Sequence, residues 1–566
     1  MKNVYTIVIL VIISLFHKNI IAQWSNDPLI NTPVCVRDGN QYTPEIVSDD
    51  RGGVIITWAD SRSGDFDLFI QRLDSQGFTK WEDGGKAVCS NSGQQVYHKI
   101  IQDYEGGCFV VWEDTRNGNS DIYAQRIDSS GNILWDSAGV EICVLPLDQE
   151  DPQLVSDGSG GAIIMWEFKQ GAAGETGLYA QRINSLGQIM WDVNGLPIVT
   201  SPTPDPVQIK PKITNDGSGG AVIVWTDFSE PNDNIFAQRI NSSGMLLWPQ
   251  NGLPIITSSF GKRFNNLISV GNGEFVLCWV TNIDILFNDW DLRAQKIDTS
   301  GNIIWNSDGV IVCSSDVSIN PSTIAYDNQN SVIIGWEDRR HIPTSNPSTI
   351  YCQKLSLDGY TQWQQNGRPV SSYQGNQARI KLICDPNGNT VACWFDARTN
   401  PQWDIYAQKF DGSGIILWEV EGKEVSIVNS YKSWKNIAIT NNEDYIVTWG
   451  DERNADPDIY AQSLNALITS VDESLKDYPE GFTLNQNYPN PFNPSTKISW
   501  QVPVGSWQTL KVYDVLGNEV ATLVNEYKPA GTYEVEWDAS GLPSGVYFYQ
   551  LKTEGFIETK KMLLLK

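Results

Sequence analysis

The residues best suited to chemistry are carboxylates and guanidiniums that recur in one fixed frame. A Trp-x-Asp-x-Arg motif sets Asp60 beside Arg62, Asp114 beside Arg116, Asp338 beside Arg340, Asp396 beside Arg398 and Asp451 beside Arg453; Asp227 holds the same place without its Arg. A ring of such pairs suits a sugar, a peptide or a cation, since charge-assisted hydrogen bonds are strong and directional. These ten residues are the ligand-binding candidates. The same pairs can instead tie each loop or fasten neighbouring repeats. Their near-identical use in most repeats favours that reading, because a binding site breaks symmetry. The stretch from Asp114 to Asp121 superficially resembles a calcium loop. It lacks the spaced oxygen ligands and closing bidentate Glu of an EF-hand. No cofactor or metal is expected, calcium being the one ion left open.

Catalytic material is thin. Beyond the first residues only His98 and His341 occur, far apart and in unlike contexts, too little for a His-based zinc site or a Ser-His-Asp triad. No Gly-x-Ser-x-Gly elbow or phosphate-cradling loop is found. No catalytic residue is assigned. Paired carboxylates for glycoside hydrolysis depend on spatial separation, so abundant acids keep an enzyme reading alive.

The elements that must position these residues come from a repeat. Trp58, Trp112, Trp166, Trp225, Trp279, Trp336, Trp394 and Trp449 are separated by 54, 54, 59, 54, 57, 58 and 55 residues. Each repeat has the same order: a short strand such as Pro44–Val47, a Gly-Gly turn, a strand ending in the Trp motif, a loop, a strand such as Asp67–Leu73, and a fourth stretch. Four antiparallel strands at this period make the blade of a β-propeller. All the Trp-x-Asp-x-Arg loops join second to third strands and so emerge on one face. The fifth and sixth repeats deviate, at Thr281–Trp290 and His341–Thr349, where insertions in repeat proteins often form binding surfaces.

The eighth repeat stops after Asp458–Gln462 without its fourth strand. Trp24 and Pro33-Val34-Cys35 resemble the missing piece, so the N-terminal strand is expected to close an eight-bladed ring and remove exposed sheet edges. Cys35, Cys89, Cys143 and Cys313 share one repeat position and read as buried small hydrophobes, too far apart to bridge. Cys384 and Cys393 flank a single turn and are the pair whose disulfide state is open.

The 566 residues carry a net charge of −27, which repels phosphate backbones and excludes nucleic acid as a partner. Met1-Lys2-Asn3, the apolar run Val4–Phe16 and the small Ala22 match a signal peptide over residues 1–22. That run is too short to span a bilayer, and the mature chain has no other transmembrane segment. The β-propeller is assigned to 23–466 and a polar linker to 467–481.

The last segment, 482–566, contains three Pro and four Asn between Phe482 and Thr496, followed by short alternating strands. This is the pattern of an immunoglobulin-like β-sandwich. Its motifs are Asn487-Tyr488-Pro489-Asn490-Pro491-Phe492-Asn493-Pro494, then Val512-Tyr-Asp-Val-Leu-Gly517, Gly545-Val-Tyr547 and Lys560-Lys-Met-Leu-Leu-Leu-Lys566. Over its whole length the segment resembles the type A C-terminal sorting domain of the type IX secretion system. The resemblance implies Sec export, recognition by type IX machinery, and a final location outside the cell or on the outer-membrane surface. The fold class is therefore all-β, a propeller followed by a sandwich. The expected function is a non-enzymatic binding or adhesion module with a glycan or protein ligand. A carbohydrate-active enzyme and a purely structural surface protein are the alternatives.

Overall fold

Strand-forming residues alternate with Gly- and Asn-rich turns along the whole described chain, and every regular element is a strand. The computed structural model describes residues 24–25, 27–169, 176–201, 208–227, 233–257, 261–284, 289–315, 319–340, 348–373, 375–398, 402–465, 482–502, 506–528, 531–553 and 556–566. The signal peptide at 1–22, all of the 467–481 linker, and the cores of both deviant loops (285–288 and 341–347, with His341) lie outside them.

Between Thr32 and Ser463 the strands form eight four-stranded antiparallel sheets. In the first, Gln41–Ser48, Val54–Asp60, Asp67–Leu73 and Lys86–Cys89 pair in sequence order. The next six repeat this order. The eighth takes Lys432–Ile439, Tyr445–Asn454 and Asp456–Ser463 from one end of the repeat region and Thr32–Cys35 from the other. Thr32 lies opposite Ala461 and Cys35 opposite Ile459, which is the pairing expected from the sequence. The first strand of each sheet packs beside the first strand of the next, and Gln41–Ser48 packs against Lys432–Ile439, so the cycle of contacts closes. The arrangement is propeller-like, with the first strands innermost.

Packing between sheets explains the repeat. All eight motif Trp side chains are fully buried. In seven sheets the indole stacks on an aromatic of the third strand, as Trp112 does on Tyr123 at 6.2 Å between ring centroids. The glycine that opens the fourth stretch makes room for this ring. Gly139 has φ 84°, and a Cβ there would lie 2.6 Å from Trp112 Cη2.

All nine cysteines are free thiols. Register explains why Cys384 and Cys393 do not bridge: Cys384 lies opposite Thr390 and Cys393 opposite Lys381.

The C-terminal residues form two sheets around a separate core. One contains Thr483–Leu484, Ser495–Val502 and Gly531–Asp538. The other contains Glu519–Lys528, Ser506–Tyr513, Gly545–Thr553 and Phe556–Leu564. Trp500, Tyr549, Leu551 and Met562 are buried between them.

Trp112→Ala is expected to cost about 3–5 kcal/mol, the range for emptying a large aromatic site in a core. Deleting residues 24–36 should lower stability at least as much, because it bares a sheet edge and removes Val34 and Cys35 from the closing contact. Denaturant titration of the purified variants checks both.

Candidate functional site

The Trp-x-Asp-x-Arg residues are held where the second strand ends. Asp114 is fully buried and accepts three donors: the Trp112 indole N–H at 2.9 Å, the Arg116 backbone N–H at 3.0 Å and the Arg116 guanidinium at 2.8 Å. The guanidinium lies 4.0 Å over the Tyr123 ring and donates to Ala138 O at 2.9 Å and to Cys89 Sγ at 3.3 Å. Cys89 belongs to the preceding sheet. Arg62 reaches Cys35 at 3.0 Å and Arg340 reaches Cys313 at 2.9 Å in the same way. Asp60, Asp338, Asp396 and Asp451 each accept an indole N–H and hold their own Arg. The ten residues thus occupy five equivalent positions, one per sheet, and are not gathered into one site. In the three pairs that reach Cys35, Cys89 and Cys313, the cysteine is more than a small hydrophobe, because its sulfur takes the guanidinium N–H. Trp166, whose repeat lacks the Asp, has an indole N–H with no acceptor among the described residues. Asp121, at the end of the stretch resembling a calcium loop, accepts from Asn117 Nδ2 at 2.8 Å and Asn119 Nδ2 at 3.0 Å.

A second set of clamps at the opposite end of the strands is not evident in the sequence motif. Asp49 accepts the backbone N–H groups of Arg51 and Gly53 at 2.8 and 2.7 Å, shaping the Gly-Gly turn, and pairs with Arg72 at 2.7 Å. Arg72 then reaches Ser129 O of the following sheet at 3.3 Å. Asp103–Arg126, Asp157–Arg182 and Asp216–Arg239 repeat the device. One ring of clamps holds the preceding sheet, and the other holds the following one.

Symmetry breaks on the innermost strands. Each carries a register shift just inside the Trp-motif end, and in five of them the shifted residue has φ between 44° and 54°: Thr43, Tyr97, Asp151, Arg379 and Trp434. Left-handed backbone at a β-branched or bulky residue is strained and persists only where its surroundings impose it. The surroundings here are neighbouring sheets. Glu113 Oε1 accepts the Asp151 N–H at 2.8 Å, and Glu337 Oε1 accepts the Arg379 N–H at 2.6 Å. Buried Lys435 binds Arg379 O from the other side. Tyr42 braces Trp434 edge-on at 5.3 Å and contacts Phe66 at 5.9 Å. Even so, Tyr97 is 63% exposed and Trp434 46% exposed.

The innermost strands surround an axial space. At the turn end it opens into a cavity of about 280 Å³ lined by Ser48, Gln102, Asn328, Cys384 and Asn441, residues of five different sheets. Midway along, Lys99 pairs with Glu45 and Asn436 Nδ2 donates to Glu45 at 3.0 Å. Burial pushes the Glu113 carboxyl up to about 7, while the Asp151 N–H and Ser120 hydroxyl partly offset this. Burial also lowers the His98 imidazole to about 4; neither ring nitrogen has a partner among the described residues.

In the C-terminal sheets the motif Asn487–Pro494 divides. Asn487 is buried: its N–H donates to Tyr549 Oη at 2.8 Å and its Nδ2 to Thr496 Oγ1 at 2.9 Å. Phe492 sits in the core, and its backbone exchanges hydrogen bonds with Leu563 and Leu565 at 3.0 Å. Tyr488, Pro489, Asn490, Pro491, Asn493 and Pro494 are exposed.

Asp114→Asn should cost about 3 kcal/mol, because it leaves a largely buried guanidinium without its counter-charge. A raised carboxyl favours the folded state most below its ordinary value near 4.5, and that contribution is lost as pH rises through about 7. Glu113→Gln should therefore flatten the decline in stability over this window by about 3 kcal/mol. Urea titrations at pH 4.5 and 8 check this prediction.

Residues 486–565 match the family model of the secretion system C-terminal sorting domain. No curated protein matches the chain. Among solved structures, a puromycin hydrolase aligns with a TM-score of 0.41 and 12% identity over 76% of this chain and 61% of its own. PorZ, a bacterial surface component of the type IX secretion system of Porphyromonas gingivalis, aligns at 0.35 and 12% over 92% of this chain and 70% of its own. A polysaccharide lyase described as an ulvanlyase aligns at 0.37 and 12% over 77% and 95%. The chain spans 61% of the length of the puromycin hydrolase it matches. The sorting tail directs export to the cell surface or extracellular space.

Proposed function

We propose that this exported chain is a non-enzymatic binding protein. Its ligand docks at the Trp-motif end of the axial channel of an eight-bladed β-propeller closed by the Thr32–Cys35 strand. The reading divides the chain into a signal peptide (1–22), the propeller (23–466), a linker (467–481) and an immunoglobulin-like sorting domain (482–566). The observation that carries it is the pair of exposed aromatic side chains, Tyr97 and Trp434, on strained left-handed backbone, with Trp434 braced by Tyr42 of the neighbouring sheet. Folding alone does not require such residues there, since Asn or Gly adopts this backbone at lower cost. Rigid exposed rings are what a binding surface uses to gain contact area with little entropy loss. The Asp/Arg pairs serve this surface indirectly, as clamps that fix the strands bearing it.

The test is binding of the mature chain to glycan and peptide arrays, with Trp434→Asn and Tyr97→Asn in parallel. Asn keeps the backbone conformation and removes the ring. Capture of one ligand class, weakened about tenfold or more in both variants at unchanged thermal midpoint, is expected. Turnover of a polysaccharide undiminished in both variants would make the protein an enzyme, and silence in every assay would leave a structural role. Separately, removing residues 482–566 should strand the chain in the periplasm, as cell fractionation would reveal.

A further inference from the structure

The chain as a whole is strongly acidic, with 67 Asp and Glu against 40 Lys and Arg. Its eight innermost strands reverse that balance, carrying nine Lys and Arg against four carboxylates. Some of these cations are consumed by the fold. Lys262 donates to Asp233 O at 2.8 Å, Lys432 is tied to Val428 O, and Lys435 holds the Arg379 carbonyl.

Three others meet solvent. Lys99 is 47% exposed and pairs with Glu45. Lys381, exposed on the inner strand of the seventh sheet, makes no hydrogen bond or ion pair among the described residues. Burial lowers its ammonium from the ordinary value; of the charges facing it, Glu45 of the first sheet favours the cation and Lys99 of the second opposes it. With one carboxylate shared between two ammonium groups, this layer is left net positive. Arg379 stands exposed two residues before Lys381, in the same layer as Tyr97 and Trp434. Its backbone is fixed from both sides, by Glu337 and by Lys435. Asp151 is the one carboxylate among the five left-handed residues of that layer.

Resting on the binding function proposed above, we infer that the ligand is an acidic glycan, a chain carrying uronate or sulfate groups, with its anions on Arg379, Lys381 and Lys99 and its pyranose rings on Tyr97 and Trp434. A concave site walled by protein focuses a local positive potential even in an acidic molecule. Guanidinium and ammonium donors bind carboxylate and sulfate oxygens strongly. An acidic peptide would most simply add as a strand to an inner-strand edge. The register shift on every inner strand breaks the ladder such a strand would need.

The experiment uses the full mature chain and three probes of matched length: an oligogalacturonate, a neutral xylo-oligosaccharide and a polyglutamate. Calorimetry should give binding to the oligogalacturonate alone, weakening as salt is raised. Arg379→Gln and Lys381→Gln should each weaken it about ten- to a hundredfold, with unchanged thermal midpoints. The exposed Lys80→Gln, distant on a turn, should leave it intact. If either channel variant misfolds, the salt dependence of the native chain still decides the matter. Equal or tighter binding of the neutral probe, lost in Trp434→Asn, would overturn the acidic-glycan inference and leave the binding function standing. Binding of polyglutamate in preference would overturn it likewise. No binding of any probe here, together with silence on the arrays, would remove both.

Discussion

Each sheet of the ring is covered on both faces by neighbours, so every polar group it carries must find its partner within the protein. The rest of the structure follows from meeting that constraint, as it is met by an Asp at five of the eight buried motif tryptophans. Asp at the Trp+2 position receives the indole N–H. A buried carboxylate then needs a cation, and the Arg two residues on supplies it. The guanidinium is itself largely covered, so it lies on the third-strand aromatic and spends its remaining donors on a carbonyl and on the cysteine of the preceding sheet. The motif is one chain of satisfied demands that begins with a tryptophan.

This chain also gives the ring its stiffness. At one end of the strands the guanidiniums reach backward to the preceding sheet; at the other, Asp49-type turns send Arg72 and its equivalents forward to the following one. Two opposed sets of clamps resist tilting of any sheet relative to its neighbours. That rigidity lets the innermost strands hold Thr43, Tyr97 and Trp434 in a backbone region these side chains disfavour. Glu113 and Glu337 do the same for Asp151 and Arg379, each capping an N–H on the next sheet. Repetition builds the frame, and departures from repetition build the surface it presents.

The sorting segment follows a comparable division within one motif. Asn487 and Phe492 are internal, Asn487 tying the Pro-rich loop to Tyr549 and Thr496 and Phe492 tying it to the C-terminal strand. Tyr488 and the prolines between and after them remain at the surface. A motif that looks like one recognition string is half structural and half displayed.

Much of the fold was legible in the sequence because it rests on local and periodic rules. The Trp spacing, the Gly-Gly turns and the strand order within each repeat are consequences of strand alternation and turn chemistry. The pairing of Thr32–Cys35 with Asp456–Ser463 was legible too, because the missing piece of the last repeat resembles the first residues. The sorting tail declared itself through long motifs in fixed order. What only the tertiary structure decided is which polar residues are spent and which are free. Asp114 and Arg116 could be read as a binding pair or as a clamp, repetition favouring the clamp, and burial commits them to Trp112, Tyr123 and Cys89. Tyr97, Arg379, Lys381 and Trp434 belong to no motif in the sequence. Their place at the axis is set by contacts from sheets tens to hundreds of residues away, and a left-handed φ at a Tyr or Trp leaves no mark in the sequence.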